Sequence, residues 1–325
     1  MEISHRRIWT GEISMHVAEA GQGPLVILCH GFPELWYSWR YQIRALAAAG
    51  YHVVAPDLRG HGETDRPDDL ASYSILHNVG DMVGLLDALG ENRAAAIVGH
   101  DMGCHTAWAA ALIRSDRFPA VAALSVPWQP RASVPPLSRV AELGLERLYI
   151  VHFQRPGVAE AELEADPERT LRRLFYSFSG SVPAGYAPDL MVPESGLWLD
   201  GMLDPPQPLS WMDATDLAVF VSAYARTGFA GGLAGYRNFD RNWELTAPWQ
   251  GATIEVPALF LTGALDPTTS RPAVRDMIAG MAKAIPLVSP PIYLEGAGHW
   301  VQQERPDEVT AALHSFLEAI GAGRG

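Results

Sequence analysis

The stretch GHDMG, residues 99–103, constrains the fold of this chain more than any other feature. An acidic residue, Asp101, stands at its centre, with an apolar run at 94–98 before it and a helix-like run at 104–114 after it. A strand, a sharp turn and a helix in this order form a nucleophile elbow, which presents its central side chain above a sheet. The flanking glycines fit because strand and helix approach closely only where neither carries a side chain. The stretch predicts an α/β architecture. It also raises a question of chemistry, because a carboxylate occupies the position where a hydroxyl nucleophile is usual.

Strand and helix patterns alternate on both sides of the elbow. Residues 6–20 predict a hairpin that turns near Thr10 and Gly11, and helical patterns cover 36–50 and 307–320. Alternation of buried strands with helices is typical of a parallel sheet built from right-handed crossovers. Short apolar runs bounded by turn residues predict buried strands at 24–30, 52–58, 94–100, 121–127, 256–263 and 291–299.

The strand pattern is lost between about residue 130 and about residue 249, where aromatic helix-like segments and proline clusters replace it. This change predicts a helical lid inserted into an α/β domain. Such a lid would cover the carboxyl ends of the strands, where open α/β sheets bind ligands. The predicted organisation is a first core segment at 1–130, a lid at 131–245 and a second core segment at 246–325.

Two further polar residues follow predicted strands. Asp266 comes after the strand at 256–263, and His299 comes after the strand pattern that begins at 291. Taken singly, an aspartate at a strand end is more often a turn former, and a histidine after a glycine turn is more often structural. Taken together, the chain order nucleophile, acid, histidine is the order expected for an α/β hydrolase. The pattern therefore predicts a catalytic triad of Asp101, Asp266 and His299.

The loop HGFP, residues 30–33, follows the first buried strand. In a fold of this kind, an N–H from that loop and the N–H after the nucleophile bind the developing oxyanion. Those groups belong to Phe32 and Met102. Because backbone groups donate, the prediction does not depend on side-chain identity.

Other noticeable side chains have structural interpretations. The polar loop at 57–67 and His61 are interpreted as scaffold, and His100 and His105 as packed beside the elbow. The two cysteines lie in apolar segments and predict buried thiols rather than a disulfide framework. The aromatic side chains interpreted as lid core are Phe153, Phe175, Trp211 and Phe220; the cysteines are Cys29 and Cys104.

Composition limits the partners. The formal net charge is −13 with few basic clusters, which argues against nucleic acid. No segment reaches the ~18 apolar residues of a membrane span, and the first residues lack an apolar signal region. These features predict a cytoplasmic protein without a membrane partner. The pattern predicts neither a cofactor nor a metal, and it leaves the choice between monomer and homodimer open.

The motifs resemble those of the soluble epoxide hydrolases of the α/β-hydrolase fold, and the resemblance covers essentially the whole chain. HGFPELWYSWRYQI, DLRGHGETDRP, VGHDMG, TGALDP and GAGHW occur in the family's order. Two lid segments, 149–164 and 232–245, resemble those that carry the family's lid tyrosines, which fall on Tyr149 and Tyr236. The resemblance also implies a cis peptide bond before Pro33. One departure is Met102, where the family usually has tryptophan; the N–H is retained, but that pocket wall is more flexible.

The resemblance accounts for the carboxylate. An ionised aspartate needs no base in order to attack a strained sp³ carbon, and protonated phenols can donate to the alkoxide that leaves. An ester on Asp101 would result, and His299 would activate the water that cleaves it to a vicinal diol. A haloalkane or haloacid dehalogenase would share the triad, and a non-enzymatic receptor for small ligands could share the scaffold. A serine esterase is disfavoured because position 101 holds no serine.

Overall fold

An eight-stranded sheet organises the molecule in a computed structural model that describes residues 1–322. The strand order is β1-β2-β4-β3-β5-β6-β7-β8, with β2 antiparallel to both β1 and β4 and every other pair parallel. This is the α/β-hydrolase architecture that the sequence predicts. The strands are β1 Ser4–Trp9, β2 Ser14–Ala20, β3 Leu25–Cys29, β4 His52–Pro56, β5 Ala96–His100, β6 Val121–Leu124, β7 Ala258–Gly263 and β8 Ile292–Leu294.

Helices connect and cover the strands. The helices before the lid are α1 Arg40–Ala48, α2 Ile75–Leu89 and α3 Met102–Ile113. Those between β6 and β7 are α4 Pro136–Glu142, α5 Tyr149–Phe153, α6 Val158–Leu163, α7 Pro167–Ser177, α8 Ala214–Thr227, α9 Ala230–Arg237 and α10 Phe239–Leu245. After β7 come α11 Pro272–Ala279, α12 Val301–Glu304 and α13 Pro306–Ala322. Short 3-10 turns occur at Trp36–Trp39, Leu70–Tyr73, Trp198–Gly201, Ala247–Trp249 and Met281–Lys283.

The predicted hairpin and central strands are confirmed. Trp9 lies opposite Ser14, and Gly11 in the turn between them has a φ of +100°. All residues of β3, β5, β6 and β7 are buried. Such strands read as continuous apolar runs because helices cover both faces of a parallel sheet.

The two faces of the sheet bury separate apolar clusters. Ile27 and Ile97 pack in the cluster that includes α2 and α3, whereas Val26 and Val98 pack in the cluster that includes α1 and α13. The alternation follows from the two-residue period of a strand. Each aliphatic side chain buried in this way stabilises the fold by about 2 kcal/mol.

The residues between β6 and β7 form the helices α4 to α10, and within the described chain they add no strand to the central sheet. Phe153, Phe175 and Phe220 are fully buried in a third apolar cluster, and Trp211 is partly buried against it. This cluster also contains Phe32 from the core, so the lid packs directly on the loop after β3. The lid limits at 131 and 245 remain a prediction.

The chain leaves the core and returns to it at neighbouring points. Arg131, which follows β6, donates from Nε to the carbonyl of Trp243 at 2.8 Å and lies 3.9 Å from the centroid of its ring. Gln250, which precedes β7, donates to the carbonyl of Arg131 at 3.1 Å. These contacts fasten the two connecting segments side by side.

Both cysteines are free and buried, as predicted. Within residues 1–322, no single helix is long and apolar enough to cross a membrane; only α8 and α9 together, bent by 78°, meet that criterion by length and composition.

Candidate active site

The elbow holds Asp101 in a strained conformation. Its φ is 48°, a left-handed value that is uncommon for a residue with a side chain. The neighbouring glycines are needed for close approach: a Cβ on Gly99 would lie 2.4 Å from the carbonyl oxygen of Gly103, and one on Gly103 would lie 2.3 Å from that of Cys29. Strand β5 can therefore turn directly into α3 only with these glycines, and the turn leaves the Asp101 side chain 15% exposed.

The structure brings the three predicted triad residues together. His299 Nδ1 lies 3.1 Å from Asp266 Oδ2, and His299 Nε2 lies 3.5 Å from Asp101 Oδ2. Asp266 is fully buried, and its other oxygen accepts the N–H and hydroxyl of Thr268 at 2.9 and 2.7 Å. Because parallel strands end at one edge of the sheet, loops that follow β5, β7 and β8 meet there.

The backbone of His299 is fixed on both sides. Its N–H donates to the carbonyl of Phe178 in the lid at 2.7 Å. Its carbonyl accepts His100 Nε2 at 2.8 Å and the Ser125 hydroxyl at 3.0 Å. The imidazole is therefore held by both the core and the lid.

The loop after β3 brings a backbone donor to Asp101. Cys29 pairs with Gly99 in the sheet, so the residues that follow each strand lie next to each other. The Phe32 N–H donates to Asp101 Oδ1 at 2.9 Å. The Met102 N–H donates to no side chain within the described residues. The Phe32–Pro33 peptide bond in the same loop as the Phe32 donor is cis, as the resemblance implies.

The charges in the triad stabilise one another. Burial disfavours the charged form of Asp101, but the hydrogen bond and positive charge of His299 outweigh it and hold the pKa of Asp101 well below its ordinary value. The charge and hydrogen bond of His299 likewise outweigh burial and lower the pKa of Asp266. The charge of Asp266 and the hydrogen bond to Asp101 keep the pKa of His299 well above its usual range despite burial. Each carboxylate therefore favours the charged form of the imidazole, and the imidazole favours the charged form of both carboxylates.

Two lid phenols lie next to each other in the apolar cluster that covers the loop after β3. Tyr149 begins α5 and Tyr236 lies in α9, with ring centroids 6.0 Å apart. The Tyr236 ring is 5.8 Å from that of Phe32, and the Tyr149 ring stacks on Trp198 at 4.9 Å. Burial, followed by the charge of Asp101, raises the pKa of both phenols, so both carry their protons at neutral pH.

Known proteins share this organisation. The family described as alpha/beta hydrolase fold matches residues 24–306. Epoxide hydrolase A of Mycobacterium tuberculosis is 45% identical over 98% of both chains. Epoxide hydrolase 1 of Siraitia grosvenorii is 40% identical over 98% of this chain and 99% of its own. The crystal structure of epoxide hydrolase A from Mycobacterium thermoresistibile superposes with a TM-score of 0.90, at 44% identity over 98% of both chains.

This chain belongs to the epoxide hydrolases of the α/β-hydrolase fold. As a member of that family it is a hydrolase, in agreement with the sequence resemblance. Within residues 1–322 of this epoxide hydrolase, no group of three or more His, Cys, Asp and Glu side chains is arranged to hold a metal ion.

The predictions for the neighbouring histidines of this epoxide hydrolase have different outcomes. His100 is fully buried, as expected, and His61 is half-buried, with burial lowering its pKa to about 3. The prediction that His105 is packed is wrong, because the residue is exposed. It lies on the side of α3 that points to the lid, with its ring 5.8 Å from that of Phe239, rather than against the sheet.

Sequence reasoning missed a second buried carboxylate beside the elbow of this epoxide hydrolase. Glu34 accepts the Gly31 N–H at 3.0 Å and pairs with His100 Nδ1 at 2.5 Å. It thereby joins the loop after β3 to the elbow. The available sequence signal was the position of Glu34 directly after the loop HGFP. Glu34 is fully buried, and a buried acid needs a partner.

Proposed function

We propose that the protein hydrolyses epoxides to vicinal diols through a covalent ester on Asp101. One observation carries the proposal: the Asp101 carboxylate lies between the Phe32 N–H and His299, and the lid cluster that packs on the Phe32 loop contains the phenols of Tyr149 and Tyr236. This arrangement combines a nucleophile, an acid and a water-activating base in one site.

Ring opening is the first half-reaction. One carboxylate oxygen of Asp101 forms a bond to an epoxide carbon while that carbon's bond to the ring oxygen breaks. Tyr149 and Tyr236 donate hydrogen bonds to the departing oxygen, and one of the two phenols transfers its proton to it, which leaves a hydroxyl on the substrate and a phenolate in the lid. Because the lowered pKa keeps Asp101 ionised, this step requires no general base.

Ester hydrolysis is the second half-reaction. His299 takes a proton from water, and the hydroxide equivalent attacks the acyl carbon of Asp101. The N–H groups of Phe32 and Met102 bind the tetrahedral oxyanion, and Asp266 holds the imidazole in orientation. Collapse of the intermediate breaks the bond between the acyl carbon and the alkyl oxygen, and His299 returns its proton to that oxygen as the diol leaves. The new carboxylic acid of Asp101 then gives its proton to the phenolate, which restores both groups.

Dehalogenation is the less favoured alternative. It would use the same triad, but its leaving halide needs N–H donors rather than an acid. Met102 supplies no side-chain donor next to the nucleophile, whereas the two phenols match an alkoxide leaving group. A receptor without turnover would not require the strain stored at Asp101.

Substitution of His299 by glutamine should separate the two half-reactions. His299→Gln retains Asp101 and both phenols, so alkylation should proceed while hydrolysis stalls. Mass spectrometry after incubation with excess styrene oxide should show one substrate mass added to the peptide that contains Asp101. His314→Gln, which changes a partly exposed histidine on α13, is the matched control and should accumulate no adduct.

Oxygen-18 water gives an independent test with the unmodified enzyme. A single turnover should yield unlabelled diol and labelled Asp101, because water attacks the acyl carbon. Labelled diol from that first turnover would mean that water attacks the epoxide directly, and the ester mechanism would have to be abandoned.

A further inference from the structure

A buried carboxylate outside the triad binds the loop that carries His299. Glu304 ends α12, is 6% exposed and pairs with no cation within the described residues. Its Oε2 accepts the N–H of Gly180 at 2.7 Å and that of Gly298 at 3.0 Å. Its Oε1 accepts the N–H of Trp300 at 3.1 Å. Three backbone donors therefore converge on one acid.

These three donors surround the place where the lid crosses the histidine loop. Gly298 and Trp300 flank His299. Gly180 lies two residues after Phe178, and the Phe178 carbonyl accepts the His299 N–H. The crossing is tight, because a Cβ on Gly180 would lie 2.2 Å from the Gly296 carbonyl oxygen and one on Gly298 would lie 2.4 Å from that of Phe178. Glu304 thus ties together both chain segments that determine where the imidazole stands.

We infer that Glu304 is a positioning residue for His299 and acts on ester hydrolysis rather than on ring opening. The inference rests on the proposed function, in which the imidazole must aim a water at the acyl carbon. Glu304 makes no hydrogen bond to Asp101, Tyr149 or Tyr236 among the described residues, so its removal leaves the groups of the first half-reaction in place.

A carboxylate at this position requires a reason, because burial alone would favour a neutral side chain. Burial raises the pKa of Glu304 to about 7 even though three N–H groups act in the opposite direction. Glutamine has nearly the same volume, but its amide nitrogen would face an N–H donor. Only a side chain that accepts on both oxygens satisfies Gly180, Gly298 and Trp300 together.

Kinetics of Glu304→Gln test the inference. Misplacement by about 1 Å can slow a reaction about 100-fold, so we expect ester hydrolysis to slow by about 10- to 100-fold. If hydrolysis alone slows, the alkyl-enzyme accumulates, and kcat and KM fall together while kcat/KM stays within about twofold. Rapid-quench mass spectrometry measures both steps directly. Glu308→Gln on α13, 56% exposed, is the matched control and should change neither step.

Each other outcome has a defined meaning. Equal slowing of both steps, or no change in either, would overturn the positioning role. If neither Glu304→Gln nor the shorter Glu304→Asp folds, the carboxylate serves folding and the inference is also overturned. Absence of any Asp101 adduct in the unmodified enzyme and in His299→Gln would instead refute the proposed function, so the two failures are distinguishable.

Discussion

Removal of the two lid phenols, singly and together, tests the assignment of the acid. Tyr149→Phe and Tyr236→Phe each delete one hydroxyl from a ring packed in the lid cluster and leave that packing in place. After either substitution the other phenol, whose ring centroid is 6.0 Å away, remains protonated. A shared acid role therefore predicts partial loss from each single variant and near-complete loss from the double variant.

The expected magnitude follows from the number of donors that remain. Loss of one donor to a developing oxyanion costs about 10²- to 10³-fold in rate when no other group compensates. Since one phenol remains in each single variant, we expect about 10- to 100-fold slower ring opening. The double variant leaves the alkoxide without an acid, and a loss of about 10⁴-fold or more, roughly 5.5 kcal/mol of barrier, should result.

The assay is the rate of adduct formation on Asp101 in a single turnover, followed by rapid quench and mass spectrometry. Tyr176→Phe is the control, because Tyr176 is another buried lid tyrosine, on α7. It should leave the rate within about twofold. A double variant that keeps most of its turnover would refute the acid assignment.

Two further predictions concern pH and helix α2. The lowered pKa of Asp101 means that ring opening persists as pH falls until Asp101 protonates. Hydrolysis is lost as pH falls through the pKa of His299 in the alkyl-enzyme, where the charge of Asp101 is gone and the charge of Asp266 still favours the imidazolium. The pH profiles of the separate half-reactions should show the acid limb of hydrolysis at higher pH, and the reverse order would contradict the assigned roles. Gly80→Ala should raise the free energy of unfolding by about 1 kcal/mol, because Gly80 is exposed within α2 and a Cβ there meets nothing within 4 Å. Gly84→Ala in the same helix should lower the free energy of unfolding by about 1–3 kcal/mol, because the added Cβ would lie 1.9 Å from the Thr10 carbonyl oxygen. Urea unfolding measures both changes in stability, and equal effects of the two substitutions would contradict the packing argument.

The parts of the site nearest to the sheet were the most predictable. Asp101, Asp266 and His299 each follow a strand, and loops at one edge of a parallel sheet meet regardless of the rest of the fold. Tyr149 and Tyr236 could be chosen only through resemblance. Their helices pack through tertiary contacts, and α5, at five residues, is too short for its own propensity to define it.

The contacts of Glu304 lay beyond prediction because they join distant parts of the chain. Gly180 lies 124 residues before Glu304, and nothing local indicates that the lid crosses the histidine loop there. The error at His105 has a related cause. A residue four positions after Asp101 can face the sheet or the lid, and the docking of Phe239 on α10 determines which side is exposed.

The contacts of Arg131 with Trp243 and Gln250 have an evolutionary consequence. A segment whose two ends are clasped together can be exchanged for another without moving the strands on either side. The proposed acids lie within this segment, whereas the proposed nucleophile and base lie outside it. Recombination between relatives at these two adjacent points would therefore graft a new lid, with its own pair of phenols, onto an inherited core that carries the proposed nucleophile and base.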